Sequence, residues 1–246
     1  MNKTCVLIIG QSIGLRCLKY IYQNKKIKIK CVISSDLKYD KGIKIFCRSK
    51  KIKYLDKRKS LSKNLSKKNS FKYDFLLSIF SNLIIKESDL NLFKFGGFNF
   101  HPGVLPYYPG LNPISGMIFN SEKKIGVTLH KMTSKVDGGN IIFIKKKSIY
   151  SNDNLFSCMR KIEHLTIKIL SKFLDNLTKS KIMIGKKNNL NKKKKFSNKI
   201  PNNGKFNKKW TYKIFLKYFN AGYAGPYESQ WGRIFFTYKG RKKFIN

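Results

Sequence analysis

Apolar residues in this chain fall into short unbroken runs separated by stretches with helical spacing. This pattern predicts strands buried on both faces alternating with amphipathic helices. Residues 5–9, Cys-Val-Leu-Ile-Ile, close on Gly10 and predict the first strand, and Ser12 is placed to cap the helix after it. In that helix Ile13, Cys17, Tyr20 and Ile21 recur on one face. Residues 29–34 predict a second strand and complete a βαβ unit. A helix over 42–50, a short strand over 52–55, a central strand over 75–80, helical spacing over 86–92 and a strand over 98–101 stopped by Pro102 follow. Two more strands, 126–130 and 141–144, flank a loop carrying Asp137, and an amphipathic helix spans 154–177. Such alternation predicts a doubly wound, mostly parallel α/β sheet, with ligands collecting at the carboxyl ends of its strands. Asn99 and His101 lie at one such end.

Two stretches break the pattern. Residues 57–72 are Lys, Ser and Asn with few apolar positions and read as a polar helix or solvated loop. Residues 179–209 turn again to Lys, Asn and Ser and read as a linker, so the division is a catalytic domain over 1–178, the linker, and a small α+β appendage over 210–246. The appendage holds a helix near 211–220 and a hairpin, 234–238 with 242–245, turning at Lys239-Gly240.

Composition narrows the function classes. A chain of 246 residues that is 41% hydrophobic and 14% aromatic can bury one sizeable core. A formal net charge of +41 invites a nucleic-acid reading. However, only six of the 53 basic residues are Arg, the residue suited to bidentate base contacts, and the Lys residues are spread along the whole chain with Ile, Asn, Phe and Tyr, which share AT-rich codons. We hypothesise that much of the charge reflects base composition in the source genome. A tight RNA complex lost steeply with rising salt would sink that idea. Cys5, Cys17, Cys31, Cys47 and Cys158 form no C-x-x-C pair and suit free buried thiols, which points to the cytoplasm and to neither disulfides nor a structural metal. No apolar stretch approaches the ~18 residues that span a membrane, and residues 4–10 lack a cleavage pattern, so no membrane partner or leader is expected.

The segment 98–113 holds four of the six prolines and predicts a fixed loop. Asn99 and His101, two apart on an extended segment, point to one side and pair a neutral amide with a proton-transferring imidazole. Asp137, followed by Gly138 and Gly139, is a carboxylate on a backbone able to turn tightly, suited to orienting His101 and stabilising its charged form. His130 on a strand reads as structural, His164 on the long helix as packing or surface, and the Lys192 to Lys195 run as solvated.

The ordered set Asn99-x-His101-Pro-Gly-x-Leu105-Pro, Gly110, Gly126-Val-Thr-x-His130 and Asp137-x-Gly139-x-Ile141 resembles the folate-dependent formyltransferases over about residues 1–177. That family includes enzymes acting on glycinamide ribonucleotide, methionyl-tRNA, amino-sugar nucleotides and hydroxyornithine-type precursors. The resemblance implies a Rossmann-like catalytic domain and 10-formyltetrahydrofolate as co-substrate, without a metal. It implies that Asn99 holds the formyl oxygen, that His101 assists proton transfer, and that Asp137 positions His101 and a water. It also implies that the pterin lies along Ser78, Ile79, Phe80 and Leu83 and the loop with Gly138 and Gly139.

Relatives acting on tRNA carry a longer basic insertion after the second strand and a larger carboxy-terminal barrel. The short connection over 36–50 and the region of only about forty residues after the linker therefore favour a small-molecule or amino-sugar amine over initiator methionyl-tRNA. Residues 225–232, Gly-Pro-Tyr-Glu-Ser-Gln-Trp-Gly, resemble the tail of small-amine formyltransferases, and Gly116 stands where many relatives carry an aromatic. tRNA remains a possible partner, and a non-catalytic RNA-binding relative is the alternative from another class. A hydrolase releasing formate from the same donor is a further alternative. The oligomeric state stays open.

Overall fold

The computed structural model describes residues 2–35, 40–56, 73–179, 184–197, 200–225, 229 and 231–245. The polar stretch 57–72 and part of the 225–232 motif lie outside the described residues. Along the chain run β1 (Lys3–Ile9), α1 (Gln11–Gln23), β2 (Ile27–Ser34), α2 (Asp40–Ser49), β3 (Lys53–Asp56), β4 (Phe75–Ile79), α3 (Glu87–Leu90) and β5 (Gly97–His101). Then come α4 (Pro113–Phe119), β6 (Lys124–Lys131), β7 (Ile141–Ser148), α5 (Leu155–Thr178), α6 (Tyr212–Gly222), β8 (Phe235–Tyr238) and β9 (Arg241–Phe244). Seven strands form one sheet in the order β3-β2-β1-β4-β5-β6-β7. The first five are parallel and β6 is antiparallel to β5. This is the mostly parallel α/β sheet expected from the sequence, with a separate two-stranded sheet near the carboxyl end.

Two compact units make up the fold. The first comprises residues 1–101, 128–144 and 166–188; the second comprises 102–127, 145–165 and 189–246.

In the first unit the continuous apolar runs form strands without a solvent face: Cys5 to Ile9 and Phe75 to Leu77 are fully buried. On α1 the buried stripe is Ile13, Gly14, Cys17, Leu18 and Ile21, the spacing that predicted the helix. Ser12 does not cap it. The cap position is Gly10, whose N–H donates to Ile79 O at 3.0 Å, and no side chain accepts there. A Cβ on Gly10 would collide with the Phe80 carbonyl, so close strand-to-strand approach, rather than capping, accounts for that residue.

Phe98 and Phe100 on β5 face Phe173 of α5, with ring centroids 4.9 and 6.4 Å away, and Phe75 of β4 joins them at 6.0 Å. Because a strand has a side-chain period of two, seating these rings on one face sends Asn99 and His101 to the other. All five cysteines are buried free thiols. Burial pushes Cys31 and Cys158 up to about 12 and Cys47 up to about 11.

In the second unit α4 packs on α6, with Phe119 stacked on Tyr218 at 5.4 Å. Phe196 stacks on Trp231 at 5.6 Å, and Trp231 donates its indole N–H to Ser197 O at 2.9 Å. The hairpin β8–β9 turns at Lys239 and Gly240, both with positive φ, as the sequence predicts. Composition predicts a solvated linker over 179–209, and the described residues 184–197 are mostly exposed, with a few anchors in this stretch tying it to the fold. Lys186 bridges to Ile141, Lys194 N–H donates to Tyr107 O at 2.8 Å, and Ile200 is buried with its N–H on Trp231 O. Mean composition registers the lysines and misses these isolated anchors. Among the described residues no helix is long and apolar enough to cross a membrane.

Candidate active site

The site is assembled within the first unit. In the antiparallel register of β5 and β6, Asn99 lies opposite His130 and His101 opposite Thr128. Directly opposed residues share a face, so the register brings His130 to the face that Asn99 and His101 already occupy. The loop after β6 returns Asp137 to the same place. His101, His130 and Asp137 are each at least nine-tenths buried.

Asp137 stands between the two imidazoles. Its Oδ2 is 3.4 Å from His101 Nδ1 and its Oδ1 is 3.3 Å from His130 Nε2. His130 Nδ1 lies 2.7 Å from the Lys131 carbonyl oxygen, which can only accept, so that nitrogen carries the proton. In the neutral ring Nε2 then accepts from Asn99 Nδ2 at 3.2 Å, and the same amide nitrogen donates to Asp137 Oδ1 at 3.4 Å. A second proton on His130 would replace the first of these bonds with a direct one to Asp137. One carboxylate can therefore compensate a cation on either ring.

Asn99 Oδ1 is buried without a hydrogen-bond partner among the described residues. A buried acceptor left unpaired costs about 1–3 kcal/mol, and a ligand N–H would relieve it. The expectation that Asn99 presents an N–H to an incoming oxygen needs the amide to exchange ends.

Asp137 holds a left-handed backbone, φ 49°, a conformation that a short polar side chain tolerates. The glycines after it have separate tasks. Gly138 N–H closes a turn onto Lys135 O at 3.0 Å, and a Cβ on Gly139 would collide with the Lys131 carbonyl, standing 2.7 Å from its carbon. Substitution at Gly139 therefore pushes the Asp137 loop off β6. Beside the site, burial lowers the Lys131 ammonium below its ordinary value, and it donates to Phe95 O at 2.9 Å.

The residues expected along the pterin lie at the exit of β4. Ser78 pairs in register with Asn99. Ser78, Ile79 and Phe80 are buried, Phe80 has φ 51°, and Leu83 packs against the core cluster around Ile8 and Leu76. Ile79 thus offers a ligand no side chain, and its carbonyl is taken by Gly10 N–H. Sequence reading gives His130 a structural role, and the register sets it beside Asn99 and Asp137. The available signal was its even spacing on an apolar strand, with only registry to decide whose neighbour it is. His164 is exposed.

In the second unit the proline-rich loop is fixed internally: Tyr107 and Tyr108 N–H both donate to Val104 O, and Tyr108 donates its hydroxyl to Glu122. Lys194 also engages Glu122 and donates its N–H to Tyr107 O, and Lys195 O accepts from Asn120, so the Lys192 to Lys195 run is anchored at several points. Gly116 packs under Phe196, where its Cβ would stand 2.8 Å from the ring.

The sequence pattern of the formyl transferase family matches residues 3–174. A methionyl-tRNA formyltransferase of Borrelia garinii subsp. bavariensis is 29% identical over 145 residues, covering 59% of this chain and 46% of its own. The chain spans less than half the length of the curated relatives it matches. Among solved structures, a 4-N formyltransferase from Francisella tularensis superposes with a TM-score of 0.79 at 23% identity, over 99% of this chain and 96% of the other. An N-formyltransferase from Helicobacter canadensis in complex with folinic acid and dTDP-3-aminofucose superposes with a TM-score of 0.67 at 22% identity, over 90% and 80%.

Proposed function

Since the chain belongs to the formyl transferase family, we propose that it transfers a formyl group from 10-formyltetrahydrofolate to a primary amine on a small-molecule or amino-sugar acceptor. The observation that carries this reading is the group of buried His101, His130 and Asp137 around Asn99, whose buried Oδ1 is left unpaired among the described residues. Folate supplies the one-carbon unit. The chain's own task is to stabilise the oxygen on which negative charge develops and to move a proton from the attacking amine to the departing nitrogen. Asn99, with its amide turned, donates to that oxygen. His101 carries the proton, and Asp137 stabilises the imidazolium while it exists. Neutral His130 accepts from Asn99 and so holds its amide beside Asp137.

The fit to the donor is chemical. Ser78 pairs in register with Asn99, which supports a donor lying at the β4 exit, and Gly139 lets the Asp137 loop approach β6 closely. No side chain in this set needs a metal for the proposed steps. Correspondence over nearly its whole length with a 4-N formyltransferase supports a small acceptor. The second reading, initiator methionyl-tRNA, is favoured by the sequence relatives and the +41 charge. Either activity would be cytoplasmic.

Purified protein is incubated with 10-formyltetrahydrofolate and a panel of amino-sugar nucleotides, small amines and charged initiator tRNA, following donor consumption and formylated product. Turnover with a small amine supports the proposal, and turnover with tRNA alone replaces it with the second reading. Absence of transfer to any acceptor overturns both.

A further inference from the structure

Residues 184–188 run against the loop that carries Asp137. Ile141 and Lys186 exchange backbone hydrogen bonds at 2.8 and 2.7 Å. Gly185 makes the approach possible, since a Cβ there would stand 2.6 Å from the Ile141 carbonyl oxygen and 2.8 Å from its carbon. Two residues on, Asn188 donates its Nδ2–H to the backbone carbonyl of Asp137 at 2.6 Å.

The other end of this amide is informative. Asn188 Oδ1 is buried with no hydrogen-bond partner among the described residues. Exchanging the ends would set two acceptors face to face, so the Asp137 carbonyl fixes the orientation and leaves the oxygen unsatisfied. A half-used buried amide is unfavourable as packing alone. Its single bond is made to the residue whose left-handed backbone aims a carboxylate at two imidazoles.

We propose that Asn188 is a positioning residue for formyl transfer: its amide holds the Asp137 backbone so that the carboxylate meets both His101 and His130. This assignment rests on the formyl-transfer reading, and it adds the segment 184–188 to the apparatus of the site.

The test uses Asn188→Leu, Asn188→Asp and the milder Asn188→Ser in the full chain, alone and combined with Asp137→Asn. Asn188→Leu lowers kcat about tenfold, with the KM for the formyl donor within about twofold, because misplacement of a reacting group falls on the chemical step. Asn188→Asp, which sets a carboxylate against the carbonyl, loses more, and Asn188→Ser less. In the Asp137→Asn background Asn188→Leu changes kcat less than about twofold, since residues acting as a unit are non-additive. A second readout is independent of turnover. The chain has three histidines, and 15N labelling of their rings reports each one. In Asn188→Leu the His101 and His130 resonances move toward their positions in Asp137→Asn, while exposed His164 stays in place and verifies folding. Equal losses of kcat in both backgrounds, or His101 and His130 resonances that do not move in the folded variants, overturn the proposal. Failure of the wild type to transfer formyl groups overturns the function instead, and the ring resonances still decide the role of Asn188.

Discussion

Replacing Asp137 with Asn keeps the volume of the side chain and removes its charge. In the folded protein one carboxylate oxygen faces His101 Nδ1 at 3.4 Å and the other faces His130 Nε2 at 3.3 Å, with 7% of the side chain exposed. At such a separation and an effective dielectric near 20, the attraction between an imidazolium and a carboxylate has an upper bound of about 5 kcal/mol. Desolvation of the carboxylate offsets part of this, and a hydrogen bond to a charged group contributes about 1.5–3 kcal/mol net. In the proposed mechanism His101 is charged only while it carries the proton in flight, so that sum falls on the barrier. Asp137→Asn should therefore lower kcat roughly 10- to 150-fold and leave the KM of the formyl donor within about threefold. Steady-state rates with saturating donor and acceptor, repeated for His101→Asn and the double variant, measure it. In the double variant the loss should resemble that of His101→Asn alone. A folded Asp137→Asn enzyme with kcat within threefold of wild type, or losses that multiply in the double variant, would refute the assigned role.

Three further outcomes are expected. Gly139→Ala sets a Cβ into the Lys131 carbonyl, a backbone group that cannot swing away, so transfer activity should fall with a drop in melting temperature; unchanged activity would mean that the Asp137 loop is not held by this approach. Phe173→Ala empties the site under Phe75, Phe98 and Phe100 and should cost about 3–5 kcal/mol in urea unfolding; a loss below about 1 kcal/mol would contradict its place in the core. Burial pushes the Asp153 carboxyl up, but hydrogen bonds from Lys161, Ser157 and the Tyr150 N–H bring it below its ordinary value. Its stabilising contribution is present above roughly pH 4, the unfolded value, and is lost as pH falls through the lower folded one. The stability gap between wild type and Lys161→Met should accordingly narrow on going from pH 6 to pH 3; a gap that widens would reverse the sign of this assignment.

The parts of the fold legible in the sequence are those governed by local period. Residues 5–9 and 75–79 declare buried strands because no polar residue other than Ser78 interrupts them, and Ser78 lies beside Asn99. Asn99 and His101 are legible as neighbours because two residues apart on a strand means one face. His130 was read as structural because its role depends on the register between β5 and β6, which pairs residues 31 apart and leaves no mark in either strand alone. Asn188 was hidden more deeply. It sits among lysines and asparagines whose average composition reads as solvated chain, and one hydrogen bond and one glycine set it apart. The Ser12 cap failed for a related reason: side-chain chemistry suggested a cap, while packing of Gly10 against β4 decided the geometry.

The five buried thiols acquire a use beyond packing. Each is enclosed, and burial raises Cys5, Cys31, Cys47 and Cys158 far above the range in which thiolate forms at neutral pH. The native chain is thus silent toward alkylating reagents, and modification marks the moments when its interior opens. Cys5, Cys17, Cys31 and Cys47 sit on β1, α1, β2 and α2, while Cys158 sits at the start of α5. Reagent uptake resolved by position would then time the opening of the amino-terminal half separately from that of α5, making the protein a clock for its own unfolding without any added label.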